Sequence, residues 1–112
     1  MILQAEATTM TEGNIICWGK VGDGINVGGE DGVVRNLVPG TYQAMLTVNV
    51  EDEMDGLLQL MQNDKCVQSI KSYNSSVSTS CIIRVQEGDK ITVTFENSLE
   101  ATSYLTLVRL GN

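Results

Sequence analysis

The stretch that decides the fold is CIIRVQEGDKITVTF, residues 81–95. Apolar and polar residues alternate in the second half, Cys81, Ile83 and Val85 occupy every second position in the first, and the central QEGD carries the Gly and Asp that are typical of a turn. In the second half Ile91, Val93 and Phe95 share one face, because side chains of a strand alternate between its two sides. The pattern predicts two consecutive β-strands joined by a turn, with one face of the pair directed at a hydrophobic core.

The same period of two recurs through the rest of the chain. After a turn at Pro39 and Gly40, residues 41–50 alternate with Tyr42, Ala44, Leu46, Val48 and Val50 on the core side. Residues 103–110 are apolar on both faces, with Leu105 and Leu107 predicted inward, so this strand must be covered on both sides. Further strands are predicted at 14–18, 56–62 and 66–70, a Ser-rich loop at 72–80, and a Gly-rich loop at 19–32 that could carry an edge strand at 25–27.

These short strands, without helical spacing over a convincing length, predict an all-β jelly-roll β-sandwich. The length of 112 residues fits one domain spanning 1–112, in which residues 1–32 are the least defined part.

Charge and hydropathy exclude several classes of partner. Seven basic against fourteen acidic residues give a net charge of −7, which would repel a phosphate backbone, so we predict no nucleic-acid binding. The apolar runs fall far short of the roughly 20 residues that span a bilayer, so no membrane insertion is predicted. Residues 1–10 contain Glu6 and lack the basic and apolar regions of a secretory signal. Export would need another route or a signal outside this chain.

Catalytic and metal sites find little support. The sequence contains no His, so Ser-His and Cys-His pairs and mixed zinc sites cannot be built from this chain. The carboxylates of residues 51–55 could act as an acid pair, and those residues or Asp23, Glu30 and Asp31 could bind calcium, but neither segment has the spacing of a defined site. A solvated acidic loop is the favoured interpretation of residues 51–55. We therefore predict no enzyme, no cofactor and no metal.

The cysteines and the single tryptophan each leave alternatives open. Cys17, Cys66 and Cys81 are either separate buried thiols, or Cys66 and Cys81 form a disulfide. Closing that loop would add about 3 kcal/mol of stability on the chain-entropy model. Trp18 either fills the core or belongs to an exposed sugar-stacking surface.

Three segments taken together resemble the C1q/TNF-like jelly-roll family. They are LVPGTY at 37–42, IRVQEGDKITV at 83–93 and SYLTLVRLG at 103–111. In that family a PGxY turn precedes a central strand, a GD turn joins the next pair, and a short hydrophobic strand ends the domain. The resemblance covers residues 33–111. The lean loops and the aromatic content of 4% resemble bacterial and phage members, such as spore-surface and fibre-tip domains, more than vertebrate ones.

The resemblance implies a non-enzymatic homotrimer that forms the tip of a cell-surface, spore-surface or virion fibre and binds a surface receptor or a glycan. The protein would then act at the extracellular surface or on a virion. The family places the strands at 81–85 and 103–110 in the sheet that faces the threefold axis, which makes Ile82, Tyr104 and Val108 the expected trimer interface.

Other interpretations remain open at this point. One is a monomer whose N-terminal segment covers this apolar patch. Another is a monomeric carbohydrate-binding sandwich that uses Trp18, and a third is a small hydrolase that depends on Asp52 or Glu53.

Overall fold

A computed structural model of the chain describes residues 2–7, 9–20, 31–49, 56–72, 76–96, 99 and 102–112. These residues form eight strands and no helix, which confirms the all-β prediction. The strands are β1 (Ile2–Ala7), β2 (Gly19–Lys20), β3 (Gly40–Asn49), β4 (Gly56–Gln62), β5 (Lys65–Ser72), β6 (Ser76–Val85), β7 (Ile91–Phe95) and β8 (Ser103–Gly111).

The strands form two antiparallel sheets. One sheet has five strands in the order β2-β1-β8-β3-β6, and the other has three in the order β5-β4-β7. Single bridges from Ile15 to Thr94 and from Val34 to Ile91 continue the three-stranded sheet beyond β7. Strand β8 lies in the middle of the larger sheet because it pairs with β1 on one side and β3 on the other.

The core lies between the sheets, where the alternating apolar residues meet. In β3 every second residue is buried, as the pattern predicted, and the inward residues of β7 and β8 are buried as well. Burial of this kind is the main favourable term in folding. The confirmed inward residues are Tyr42, Ala44, Leu46, Val48, Ile83, Val85, Ile91, Val93, Phe95, Leu105 and Leu107.

Two turns at one end of the sandwich are held together by the carboxylate of Asp89. It accepts hydrogen bonds from the backbone N–H of Gln86 at 2.9 Å and from the side-chain amides of Gln62 at 2.8 Å and Asn63 at 3.1 Å. The Gln62 amide also donates to the carbonyl of Arg84 in β6 at 2.6 Å, so it connects the two sheets. The Gln86 N–H, followed by the two amides, lowers the pKa of Asp89.

Gly40 opens β3 at a position that has no room for a side chain. Its φ is +155°, and a Cβ placed there would lie 2.5 Å from the carbonyl oxygen of Gly111 and 2.6 Å from Nε of Arg109. The guanidinium of Arg109 is fixed there because it donates to the carbonyl of Pro39 through Nε at 3.0 Å and Nη2 at 2.8 Å. The Pro-Gly pair therefore does more than turn the chain, since it lets the end of β8 approach the start of β3.

The prediction of a loop over residues 72–80 is wrong for Ser72, which ends β5, and for residues 76–80, whereas residues 73–75 lie outside the described residues. Strand β6 begins at Ser76 and pairs with β3 in continuous register up to Val85. Every second residue from Ser76 to Ser80 is a serine on the exposed side, and inward Val77 and Thr79 are only half-buried, so the segment lacks the strong apolar signal of a strand. Pairing with β3 supplies the backbone hydrogen bonds instead.

Two further corrections concern the N-terminal third. Residues 14–18, predicted as a strand, form only single bridges at Ile15 and Ile16. The N-terminal residues contribute β1, whose place inside the five-stranded sheet was not predicted. The proposed edge strand at 25–27 lies outside the described residues.

Candidate functional site

The candidate site is the face of the five-stranded sheet that points away from the core, which we call the open face. Ile82, Tyr104 and Val108, predicted to share an outward patch, all lie on it. Ile82 is 60% exposed and Tyr104 48%, while Val108 is half-buried. Ile2 and Met45, exposed by 62% and 36%, lie on the same face and were not predicted.

Cross-strand register arranges these side chains in rows. Ile2 lies opposite Val108, Val108 opposite Gln43, and Gln43 opposite Ile82, so that four neighbouring strands each contribute one residue. Directly opposed residues on one face of a sheet are in contact distance of each other. We call this set the apolar row, and Gln43 is its single polar member.

The open face becomes polar toward its other end. A second row joins Glu6, Tyr104, Thr47 and Ser78, and we call it the polar row. The hydroxyls of Thr47 and Ser78 lie 3.1 Å apart and form a hydrogen bond. One face therefore combines an apolar end, suited to burial against another surface, with an end rich in hydrogen-bonding groups.

The alternative that an N-terminal segment covers the patch is wrong for residues 2–7. Strand β1 pairs edge to edge with β8, so it widens the open face and adds Ile2 to it. Among the described residues, the apolar residues of β8 are covered on the core side, and Tyr104 and Val108 are directed outward.

Trp18 belongs to the core, and the interpretation as an exposed sugar-stacking residue is wrong. Its side chain is 3% exposed. Its indole Nε1 is buried and has no hydrogen-bond partner among the described residues. A ring enclosed in this way cannot stack on a sugar at the surface.

The suggested disulfide between Cys66 and Cys81 is absent, and both are free thiols. Cys66 is exposed and lies opposite Met61 on the outer side of the three-stranded sheet, where it accepts a hydrogen bond from Gln59 at 3.7 Å. Cys81 lies opposite Ala44 and points between the sheets, and burial raises the pKa of its thiol. The three-stranded sheet therefore separates the two sulfur atoms.

Metal ligation has no support in the part of the chain that the structure describes, where no three His, Cys, Asp or Glu side chains come together. Residues 51–55, Asp23 and Glu30, considered above for calcium or catalysis, lie outside the described residues. Asp31 is described and forms a salt bridge of 2.6 Å with Arg35, whose guanidinium lowers the pKa of Asp31 to about 2. The described residues also include no helix with the length and apolar character needed to cross a membrane.

Comparison with known proteins identifies the fold. No family model matches the sequence, and no curated protein matches it either. Among solved structures, murine APRIL at pH 8.5 superposes with a TM-score of 0.77 and 17% identity, covering 97% of this chain and 98% of that chain. A second murine APRIL structure, at pH 8.0, gives a TM-score of 0.73 and 16% identity over 97% and 98% of the two chains. Pika GITRL gives 0.64 and 16% over 99% and 97%.

Identities of this size establish the fold and nothing finer. They confirm the predicted TNF/C1q-like jelly roll, and they do not support the bacterial or phage subgroup.

Proposed function

We propose that residues 1–112 act as one non-enzymatic, receptor-binding jelly-roll domain outside the cell, and that three copies assemble through the open face. One observation carries the proposal. Five apolar side chains share the outward side of one sheet while the inward side is already filled by the core, and they are Ile2, Met45, Ile82, Tyr104 and Val108.

The energetics favour a covered face. Large exposed apolar patches mark protein–protein interaction sites, and these five side chains share one face of one sheet. Fully burying an Ile side chain contributes about 1.5–3 kcal/mol, so Ile2 and Ile82, exposed by 62% and 60%, retain more than half of that for an interface. In a closed threefold arrangement each copy supplies the same patch.

The likeness of fold supports the biological setting. The sequence resemblance implied a homotrimer that binds a surface receptor, and the structural neighbours APRIL and GITRL are TNF-family, non-enzymatic ligands. Their likeness favours a receptor-binding ligand over an enzyme. The narrower role as a fibre tip on a cell, spore or virion rests on the sequence resemblance alone.

Solution mass tests the assembly directly. Light scattering and native mass spectrometry at micromolar concentration should give three times the 12.1 kDa of one chain. Ile82→Asp and Val108→Asp should give the mass of one chain or insoluble protein, because each places three desolvated charges in the interface. The matched control is Val38→Asp, since Val38 is apolar and 47% exposed but lies before β3 rather than on the open face.

A wild-type mass of one chain would contradict the proposal, and so would an intact trimer in Ile82→Asp. A monomeric wild type would favour the carbohydrate-binding alternative. In that case Tyr104, which is exposed, would be the residue that stacks on a sugar, because Trp18 is buried.

A further inference from the structure

The apolar row contains one residue that does not fit its surroundings. Gln43 lies on β3 directly between Val108 of β8 and Ile82 of β6. Its side chain is half-buried on the open face, where the preceding and following outward residues of β3 are Thr41 and Met45. A polar amide at the centre of an apolar row weakens the row as a hydrophobic contact.

The Gln43 amide also has no hydrogen-bond partner in the part of its own subunit that the structure describes. It carries two donors and one acceptor with two lone pairs. Among the described residues no side chain or backbone group forms a hydrogen bond with it. Because the side chain is half-buried, solvent can reach the amide while the face is open, and covering the face excludes that solvent.

We infer that Gln43 is the specificity-determining residue of the threefold interface, an inference that rests on the assembly proposed above. When copies cover the apolar row, each Gln43 amide needs a partner from another copy. Around a threefold axis, each amide can donate one N–H to the carbonyl oxygen of the next and accept from the one before, which closes a ring in which every amide both donates and accepts. A shifted register or an open arrangement leaves buried donors without acceptors.

This role matches the known behaviour of isolated polar residues in apolar interfaces. A single buried amide in a hydrophobic seam fixes register and the number of subunits, and it lowers affinity compared with an apolar residue. The apolar row provides the attraction between copies, and Gln43 restricts it to one geometry.

The first variant is Gln43→Leu, which removes the amide and retains the volume. It should assemble with a dissociation constant roughly tenfold lower than that of the wild type. Native mass spectrometry should show a mixture of stoichiometries in place of the single trimer. Gln59→Leu is the matched control, because Gln59 is also half-buried and lies opposite Ser69 and Thr94 on the outer side of the three-stranded sheet. The control should keep the wild-type mass and dissociation constant.

The second variant, Gln43→Glu, gives a readout that a purely structural role would not produce. At neutral pH three carboxylates meet and repel, so the trimer should dissociate. At acid pH the protonated carboxyl can donate and accept like the amide, so the trimer should form again. The charged side chains described on the open face itself are Glu6 of β1 and Arg84 of β6, and both are exposed. The wild type should show no such recovery of mass between the two pH values.

The outcomes separate this inference from the proposed assembly. A monomeric wild type would overturn both. A trimeric wild type whose Gln43→Leu variant stays a pure trimer with an unchanged dissociation constant would overturn the role of Gln43 alone. A Gln43→Glu variant that remains trimeric at neutral pH would also overturn it, and this second test stands even if Gln43→Leu fails to fold.

Discussion

Replacing Gly40 with alanine should destabilise the protein more than the same replacement at Gly88 or Gly111, two described glycines that have open space around them. Three positions form a graded series. A Cβ at Gly111 meets nothing within 4 Å, and the same holds at Gly88, where φ is +85°. At Gly40 the φ is +155° and the Cβ meets two atoms at 2.5 and 2.6 Å. The series therefore separates the effect of backbone conformation from that of steric contact.

The expected magnitudes follow from these two effects. Gly88→Ala imposes a positive φ on a residue with a Cβ, which costs about 1–2 kcal/mol. Gly40→Ala has that cost and an overpacking cost of about 1–3 kcal/mol, for a total of about 2–5 kcal/mol. The Arg109 side chain can move away only by giving up its bonds to the Pro39 carbonyl, and the other contact is the backbone oxygen of Gly111, which cannot move freely. Gly111→Ala should remain near the wild type.

Urea unfolding at one fixed protein concentration measures the series, with the fluorescence of buried Trp18 as the signal. The double variant Gly40→Ala with Arg109→Ala removes one of the two contacts and shows whether they act together. If the free energy of unfolding of Gly40→Ala lies within about 0.5 kcal/mol of that of Gly88→Ala, the close approach of β8 to Gly40 is refuted.

Three further outcomes are expected. The pKa of Asp89 is lowered, chiefly by the Gln86 N–H, so its contribution to stability is present above the unfolded pKa and is lost as pH falls through the folded pKa. Acid titration of thermal stability should therefore lose part of its slope in Asp89→Asn. Alkylation followed by mass spectrometry without reductant should label Cys66 rapidly and Cys81 slowly, and a peptide pair lacking two hydrogens would contradict the free thiols. Pairing with β3 should protect the backbone amides of β6 from hydrogen exchange from residue 76 onward. Rapid exchange at residues 76–80 would instead support the predicted loop.

The strands that could be predicted are those whose inward residues are large and apolar. In β3 and β7 the alternation of Tyr, Leu, Val, Ile and Phe with polar residues matches the buried and exposed sides. The first half of β6 was not predicted as a strand because it has serines outward and only Val77 as a large inward residue. Strand β1 was not predicted because two of its three inward residues, Ala5 and Ala7, are small and give a weak apolar pattern. Both are placed by pairing with a neighbour, which local pattern does not encode.

The candidate site could be predicted in part for the same reason. Alternation directed Ile82, Tyr104 and Val108 outward, since each lies next to residues with a clear inward preference, and the family resemblance placed their two strands in one sheet. It could not show that Gln43 stands between Ile82 and Val108, or that Ile2 continues the row. Those neighbours depend on the register between strands that are far apart in the chain.

The central place of β8 has a consequence for biosynthesis. It is the last of the eight strands in chain order, yet β1 and β3 both need it to complete their pairing. At about 5–20 residues per second, a ribosome releases β1 several seconds before β8 emerges. Throughout that delay two strands carry unpaired edges, the kind of surface that recruits chaperones or seeds aggregates. Nascent chains arrested before residue 103 should therefore be bound by chaperones and degraded, and shortened forms that lack β8 should accumulate as inclusion bodies.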